Sequence, residues 1–110
     1  MNEYRIKITR QAREQLKEIR RYIEKELISP NAAANTLAAI KKEIQALSIL
    51  PARIHLTPEQ PWYDYGIRRD RVKNYYIYFW IDEEKKIVQI MAVIYVRRDQ
   101  SRQLEQMDTQ

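Results

Sequence analysis

The spacing of apolar residues changes along this chain, and that change limits the folds that the chain can adopt. Over residues 10–27 and 30–47, apolar residues recur at steps of three and four, which is typical of helices that bury one stripe. Tyr4 to Ile8 instead alternates apolar and basic residues, as a half-buried strand does. Later segments rich in branched and aromatic residues favour three more strands, predicted at 67–72, 75–81 and 87–96.

The helix boundaries carry their own signals. The Thr9 hydroxyl can accept a free N–H of the following turn, which predicts an N-cap for the first helix. The pair Ser29-Pro30 ends that helix and begins the next, with Ser29 as a cap and Pro30 where a missing N–H costs nothing. Pro51 follows the second helix, and the short link predicts an antiparallel hairpin. The predicted buried stripes are Ala12, Leu16, Ile19 and Ile23, then Ala33, Leu37, Ile40, Ile44 and Leu47.

This order of elements predicts an α+β fold in one domain over residues 1–110. An antiparallel sheet, with the 87–96 strand at its centre, is expected to carry the helical hairpin on one face. Residues 51–62 read as a loop anchored by Trp62 and Tyr63, and the polar tail from about Asp99 as a short helix or disorder. Alternation points Ile6, Ile8, Ile77, Phe79 and Ile81 at the helices, and Arg5, Lys7, Tyr76, Tyr78 and Trp80 at an open face. A slip of one residue in the third strand would reverse its two faces.

Charge and residue types narrow the classes of function. Twenty Lys and Arg against fifteen Asp and Glu give a net charge of +5, which favours an acidic partner or simply a solvated surface. The absence of cysteine excludes disulfides and thiol chemistry, and the single histidine, His55, excludes a His-rich metal site. No metal or cofactor is indicated. No segment has the ~20 apolar residues of a membrane span, so we expect a cytoplasmic protein without membrane contact.

The predicted open face mixes rings with cations. Arg69 and Arg71 share one face of their strand, although alternation alone does not decide which one. Guanidinium groups bind phosphate or carboxylate, and aromatic rings stack on bases for ~1–3 kcal/mol each. The alternative is that these rings are cross-strand partners that pack and contact nothing else.

The pieces of this pattern together resemble the RelE/ParE superfamily of type II toxin–antitoxin toxins, over Tyr4 to Asp99. None of the pieces is specific alone, but their order and spacing are. The pieces are Tyr4-Arg5-Ile6-Lys7-Ile8-Thr9, then Ala12, Leu16, Ile19 and Tyr22-Ile23, then Pro30-Asn31-Ala32-Ala33 and Leu47 to Pro51, then Gly66-Ile67-Arg68-Arg69, Val72 and Tyr75-Tyr76-Ile77-Tyr78-Phe79, and last Ile94-Tyr95-Val96-Arg97-Arg98-Asp99.

The resemblance leaves two branches open. RelE-like toxins cut messenger RNA on the ribosome by attack of a ribose 2′-hydroxyl, which needs a base, an acid and cations. Arg98 matches their arginine after the last strand, whereas Tyr76 stands where they often have arginine and Tyr95 where many have histidine. Residues 99–110 lack their late tyrosine or histidine, and His55 matches no catalytic position. On this branch the predicted catalytic residues are Arg98, Tyr95 and Arg69.

The long hairpin and the unbroken spacing from Gly66 to Tyr75 look more like ParE, whose relatives poison DNA gyrase through a protein contact and need no catalytic groups. Either branch implies neutralisation by a small acidic antitoxin, in a toxin–antitoxin hetero-oligomer. A third possibility is an inactive binding module that keeps the fold. The residues expected to contact a target or nucleic acid are Arg68, Arg69, Arg71, Tyr76, Tyr78, Arg97 and Arg98.

Overall fold

A computed structural model describes residues 3–26 and 30–107 and confirms the predicted order of elements. The first strand and the two long helices are β1 (Arg5–Ile8), α1 (Arg10–Glu26) and α2 (Pro30–Ala46). After a 3₁₀ turn at Pro51–Arg53 come β2 (Arg68–Val72), β3 (Tyr75–Asp82) and β4 (Ile87–Tyr95). The polar tail forms a short helix, α3 (Gln100–Leu104). None of the helices within these ranges is long and apolar enough to cross a membrane.

The start of α1 confirms the predicted cap. The Ala12 N–H donates to the Thr9 hydroxyl over 3.2 Å, and the Arg13 N–H donates to the Thr9 carbonyl over 2.9 Å. The other predicted cap, Ser29, lies outside the described residues.

The helical hairpin covers one face of the sheet, as the apolar stripes predict. Ala12, Ile19 and Ile23 of α1 are buried, and so are Ile40 and Ile44 of α2. They pack against one side of β3 and β4, in a core completed by Leu47, Tyr75, Ile77, Phe79, Val88, Ile90 and Val93. The hydrophobic effect of this layer therefore fixes the hairpin to the sheet.

The sheet is mixed, which corrects the expectation of a fully antiparallel one. Its order is β1-β4-β3-β2, so that β4 is interior, but β1 runs parallel to β4. The reason lies in the segment before β2, where Leu56 forms an antiparallel bridge with Arg68. That segment runs antiparallel to β2 and takes the chain back along the sheet before β2 begins. As a result β2 runs in the same direction as β1. Since β2, β3 and β4 are joined as antiparallel neighbours, β4 then points the same way as β1.

A β-bulge interrupts β4 at Met91. Tyr78 pairs with Ala92 while Phe79 pairs with Ile90, so Met91 is an extra residue on its strand. As a result Met91 and Ala92 both lie on the face away from the helices, and Val93 returns to the helix side. The bulge therefore allows β4 to point Val88 and Ile90 before it, and Val93 after it, at the helices.

The far face is not open, contrary to the sequence expectation. Trp62 and Ile67, together with Leu104 of α3 and Met107, cover a second apolar cluster over Tyr78, Met91, Ala92 and Ile94. Of the predicted loop anchors, Trp62 is buried but Tyr63 is exposed. By alternation the uncovered remainder holds Trp80, Arg5 and Lys7. Trp80 is 38% exposed and its indole lies 3.6 Å from where a Cβ on Gly66 would be.

Two carboxyl groups meet between α2 and β2. Asp70 faces Glu43, whose carboxylate lies 3.9 Å from Arg53, and the Oδ2 atom of Asp70 is buried without a hydrogen-bond partner. Burial, reinforced by Glu43, raises the pKa of Asp70 to about 7. A proton held on Asp70 and donated to Glu43 gives the buried oxygen a partner.

This carboxyl pair predicts a stability that depends on pH. Since the pKa of Asp70 is higher in the folded chain, that state holds the proton more tightly. The site's contribution to the free energy of unfolding should therefore fall as pH rises from about 4 to about 7. After allowance for screening at a half-buried site, we expect a fall of about 1–2 kcal/mol. Urea unfolding at a series of pH values should show this fall in the wild type and not in Asp70→Asn; parallel curves would contradict the assignment.

Candidate functional site

Arg69 lies on the far face and is held by its own chain. Its guanidinium is 4.6 Å from the centre of the Tyr76 ring, and Nη1 lies 3.4 Å from a carboxylate oxygen of Glu59. Burial lowers the pKa of Arg69, but hydrogen bonding to Tyr78 and the nearby Glu59 outweigh it, and the net direction is upward. Arg69 is therefore a permanent cation that stacks on one ring and pairs with one acid.

Tyr78 is fully buried beneath the C-terminal segment. Its hydroxyl donates to the side-chain oxygen of Gln100 over 2.8 Å, and the amide of Gln100 donates to the carbonyls of Tyr95 and Arg98. Burial raises the pKa of Tyr78 to about 12, against the opposing effect of Arg69. The phenol thus serves as a donor that fastens α3 to the sheet, and its ring is not part of the exposed surface.

The other predicted cations differ in their surroundings. Arg68 points to the helix side, where its guanidinium donates to the carbonyls of Ala52 and Ile54, the latter over 2.6 Å. It therefore ties the 3₁₀ turn to β2. Arg71 is exposed, with Nε donating to the Lys73 carbonyl, and Arg97 is exposed.

Tyr95 and Arg98 lie together in a groove at the end of β4. The groove has a volume of about 200 Å³ and is bounded by α1, the end of β4 and the C-terminal segment. Its walls include Tyr22, Tyr75, Tyr95 and Arg98, and the rings of Tyr75 and Tyr95 meet edge to face at 5.6 Å. Arg98 is exposed there, and across residues 3–26 and 30–107 it makes no ion pair.

The floor of this groove is an edge of β4. β1 ends at Ile8, opposite Ile90, whereas β4 continues to Tyr95. The Val93 N–H, which points away from β3, donates to the side-chain oxygen of Gln15 over 2.9 Å. A side chain of α1 thus satisfies a backbone group for which a neighbouring strand is missing.

The predicted residues therefore separate into two places. Arg69, Tyr76 and Tyr78 form one group on the far face, while Tyr95 and Arg98 line the groove. Sequence reasoning missed Gln15 and Tyr75 as groove residues. Tyr75 falls in the aromatic run of β3, whereas nothing distinguishes Gln15 from a solvated helix residue. In the part of the chain that the structure describes, no group of three acidic or histidine side chains could hold a metal ion.

Comparison with known protein families identifies the family of this chain. Residues 6–100 match the model of the ParE toxin of the type II toxin–antitoxin system parDE. The chain belongs to the ParE toxin family. A comparison with curated protein sequences gives no match.

Solved structures of toxins share the fold of this ParE family member. The chromosomal ParDE system of P. aeruginosa matches with a TM-score of 0.70 and 21% identity, over 88% of this chain and 100% of that one. The toxin–antitoxin complex RelBE2 of Mycobacterium tuberculosis matches with a TM-score of 0.61 and 23% identity, over 86% and 93%. A free E. coli RelE variant matches with a TM-score of 0.59 and 16% identity, over 94% and 92%. The protein is thus a type II toxin with the RelE/ParE fold.

The contact between Tyr78 and Gln100 predicts how firmly the toxin's tail is held. In Tyr78→Phe the side-chain oxygen of Gln100 loses its donor, so we expect the free energy of unfolding to fall by about 1 kcal/mol. Limited proteolysis after Arg98 and Arg102 should also become faster. Tyr65→Phe is the matched control, because Tyr65 is 52% exposed. Equal stability of the two variants would show that the hydroxyl does not hold the tail.

Proposed function

We propose that this toxin stops growth by a protein contact that poisons DNA gyrase in the cytoplasm, without catalysis of its own. The family match over residues 6–100 supports this class of action. The observation that carries the proposal is the separation of the groups that RNA cleavage would need. Arg69 lies on the far face, where it is stacked on Tyr76 and paired with Glu59. Arg98 and Tyr95 lie elsewhere, in the groove at the end of β4.

Phosphoryl chemistry needs its base, acid and cations around one phosphate. Tyr78, with its pKa raised to about 12, is fully buried and holds Gln100. A gyrase contact requires only exposed groups of the right charge. Arg71 and Arg97 meet that requirement, and we assign the target contact to them.

An acidic antitoxin is the second part of the proposal. The net charge of +5 would steer such a partner towards the toxin and speed their association. The solved relatives include toxin–antitoxin complexes, which makes a cognate partner the natural expectation for this chain. Its source would be a neighbouring reading frame that encodes a short acidic protein.

The proposal predicts growth arrest on induced expression, and relief when the neighbouring reading frame is expressed with it. Purified toxin should inhibit supercoiling by gyrase and cause DNA breaks to accumulate. The double variant Arg71→Glu and Arg97→Glu should lower that inhibition about tenfold or more, because both contacts reverse their charge. Lys41→Glu with Lys42→Glu, on the exposed surface of α2, makes the same change in net charge and is the control. Normal supercoiling with the wild-type toxin would refute the gyrase target.

The proximity of Tyr95 and Arg98 favours a second candidate, RelE-like cleavage of messenger RNA on the ribosome. Tyr95 can act as a proton donor and Arg98 as the cation for the phosphorane. If transcripts are cleaved in a ribosome-dependent assay, Arg98→Ala should reduce the rate about a hundredfold while the fold survives. Unchanged cleavage would remove Arg98 from the site.

A further inference from the structure

We propose that the free edge of β4 in the groove receives an extended segment of the acidic partner, which adds to the sheet as a strand in line with β1. This inference rests on the proposed antitoxin. It adds the site of contact, the conformation of the bound segment and the side chains that it must carry.

The edge itself is the first observation. β1 covers β4 only from Ile87 to Ile90, and the bulge at Met91 lies just beyond that point. Because alternate residues of β4 hydrogen-bond with β3, the amides of Val93 and Tyr95 point the other way, into the groove. An exposed strand edge is a template for an added strand, since its backbone groups still need partners.

Gln15 is the second observation. Its side-chain oxygen accepts the Val93 N–H as a strand carbonyl would, yet it belongs to a half-buried residue on the surface of α1. An arriving strand can replace it at no net loss of backbone hydrogen bonds. In the free toxin, the side chain of Gln15 would therefore accept the Val93 N–H in place of the partner. It would compete with the partner's backbone carbonyl for this hydrogen bond.

The walls of the groove define the chemistry of the segment. Tyr22 is 62% exposed and, with Tyr75 and Tyr95, offers aromatic surface for aliphatic or aromatic side chains. Glu18 lines the α1 side, and the exposed Arg98 lies beyond Tyr95. The segment should thus alternate apolar side chains with polar ones and place an acidic residue opposite Arg98.

The test measures affinity by calorimetry between the purified toxin and the purified acidic product of the neighbouring reading frame. Arg98→Glu and Tyr22→Ala should each weaken binding about tenfold or more. Lys41→Glu makes the same change in net charge on the exposed surface of α2, outside the groove walls, and Tyr65→Ala removes a ring of similar exposure, so both should bind within about twofold of wild type. Gln15→Ala should bind about threefold more tightly, because it removes the competitor.

A second readout separates a strand from other bound shapes. Hydrogen exchange followed by NMR should show the Val93 and Tyr95 amides slowed about tenfold or more in the complex. Tight binding with these amides unchanged would overturn strand addition. Equal affinities for Arg98→Glu, Tyr22→Ala and their two control variants would overturn the site. Failure of the wild-type toxin to bind the product at all would instead refute the proposed antitoxin. Thermal unfolding of each variant verifies that a lost affinity is not a lost fold.

Discussion

The junction between β1 and α1 controls how the rest of this molecule is assembled. Thr9 donates its N–H to Ile90, its hydroxyl bonds to the Met91 carbonyl, and both of its oxygens accept amides from the first turn of α1. A single residue therefore ends the strand, begins the helix and attaches both to the interior strand β4. Because α1 leaves β4 at this point, its apolar stripe packs on one face of the sheet. The following helix α2 packs on the same face.

The same junction divides β4 into two parts that have different neighbours. The first half is a buried strand with neighbours on both sides. The second half has β3 on one side and only a helix side chain, Gln15, on the other. The far face is divided in a comparable way, because the loop around Trp62 and the helix α3 cover the half over Tyr78 and leave Trp80 exposed. In both places part of the sheet is left uncovered where a neighbouring element stops.

Much of this arrangement follows from local patterns in the sequence. The N-cap at Thr9 and the facing of Ile77 and Phe79 were predictable, because each depends on a period of a few residues and on burial. So were the helix stripe positions, apart from Ala33, whose side chain lies outside what the structure describes. The direction of β1 was not, since it depends on how many times the chain crosses the sheet before β2. The covering of Tyr78 escaped prediction because α3 is short and mostly polar, with Leu104 as its buried contact. The pairing of Arg69 with Glu59 joins a loop to a strand, and no spacing rule encodes it.

The extra residue at Met91 has a consequence for how this family member can vary. Because the side chains of a regular strand alternate, loss of Met91 would remove the bulge and leave every later side chain on its present side. One residue inserted between Ala92 and Val93 without a further bulge would instead exchange the two sides for every position that follows. Val93 would leave the helix layer and Ile94 would enter it, and the ring of Tyr95 would turn away from Tyr75. This stretch is therefore much less free to gain a residue than the polar turn at 83–86, where an added residue would shift no buried side chain. We expect homologous chains to gain and lose residues at that turn, whereas the stretch from Ile90 to Tyr95 should not lengthen and should shorten only by loss of the bulge residue.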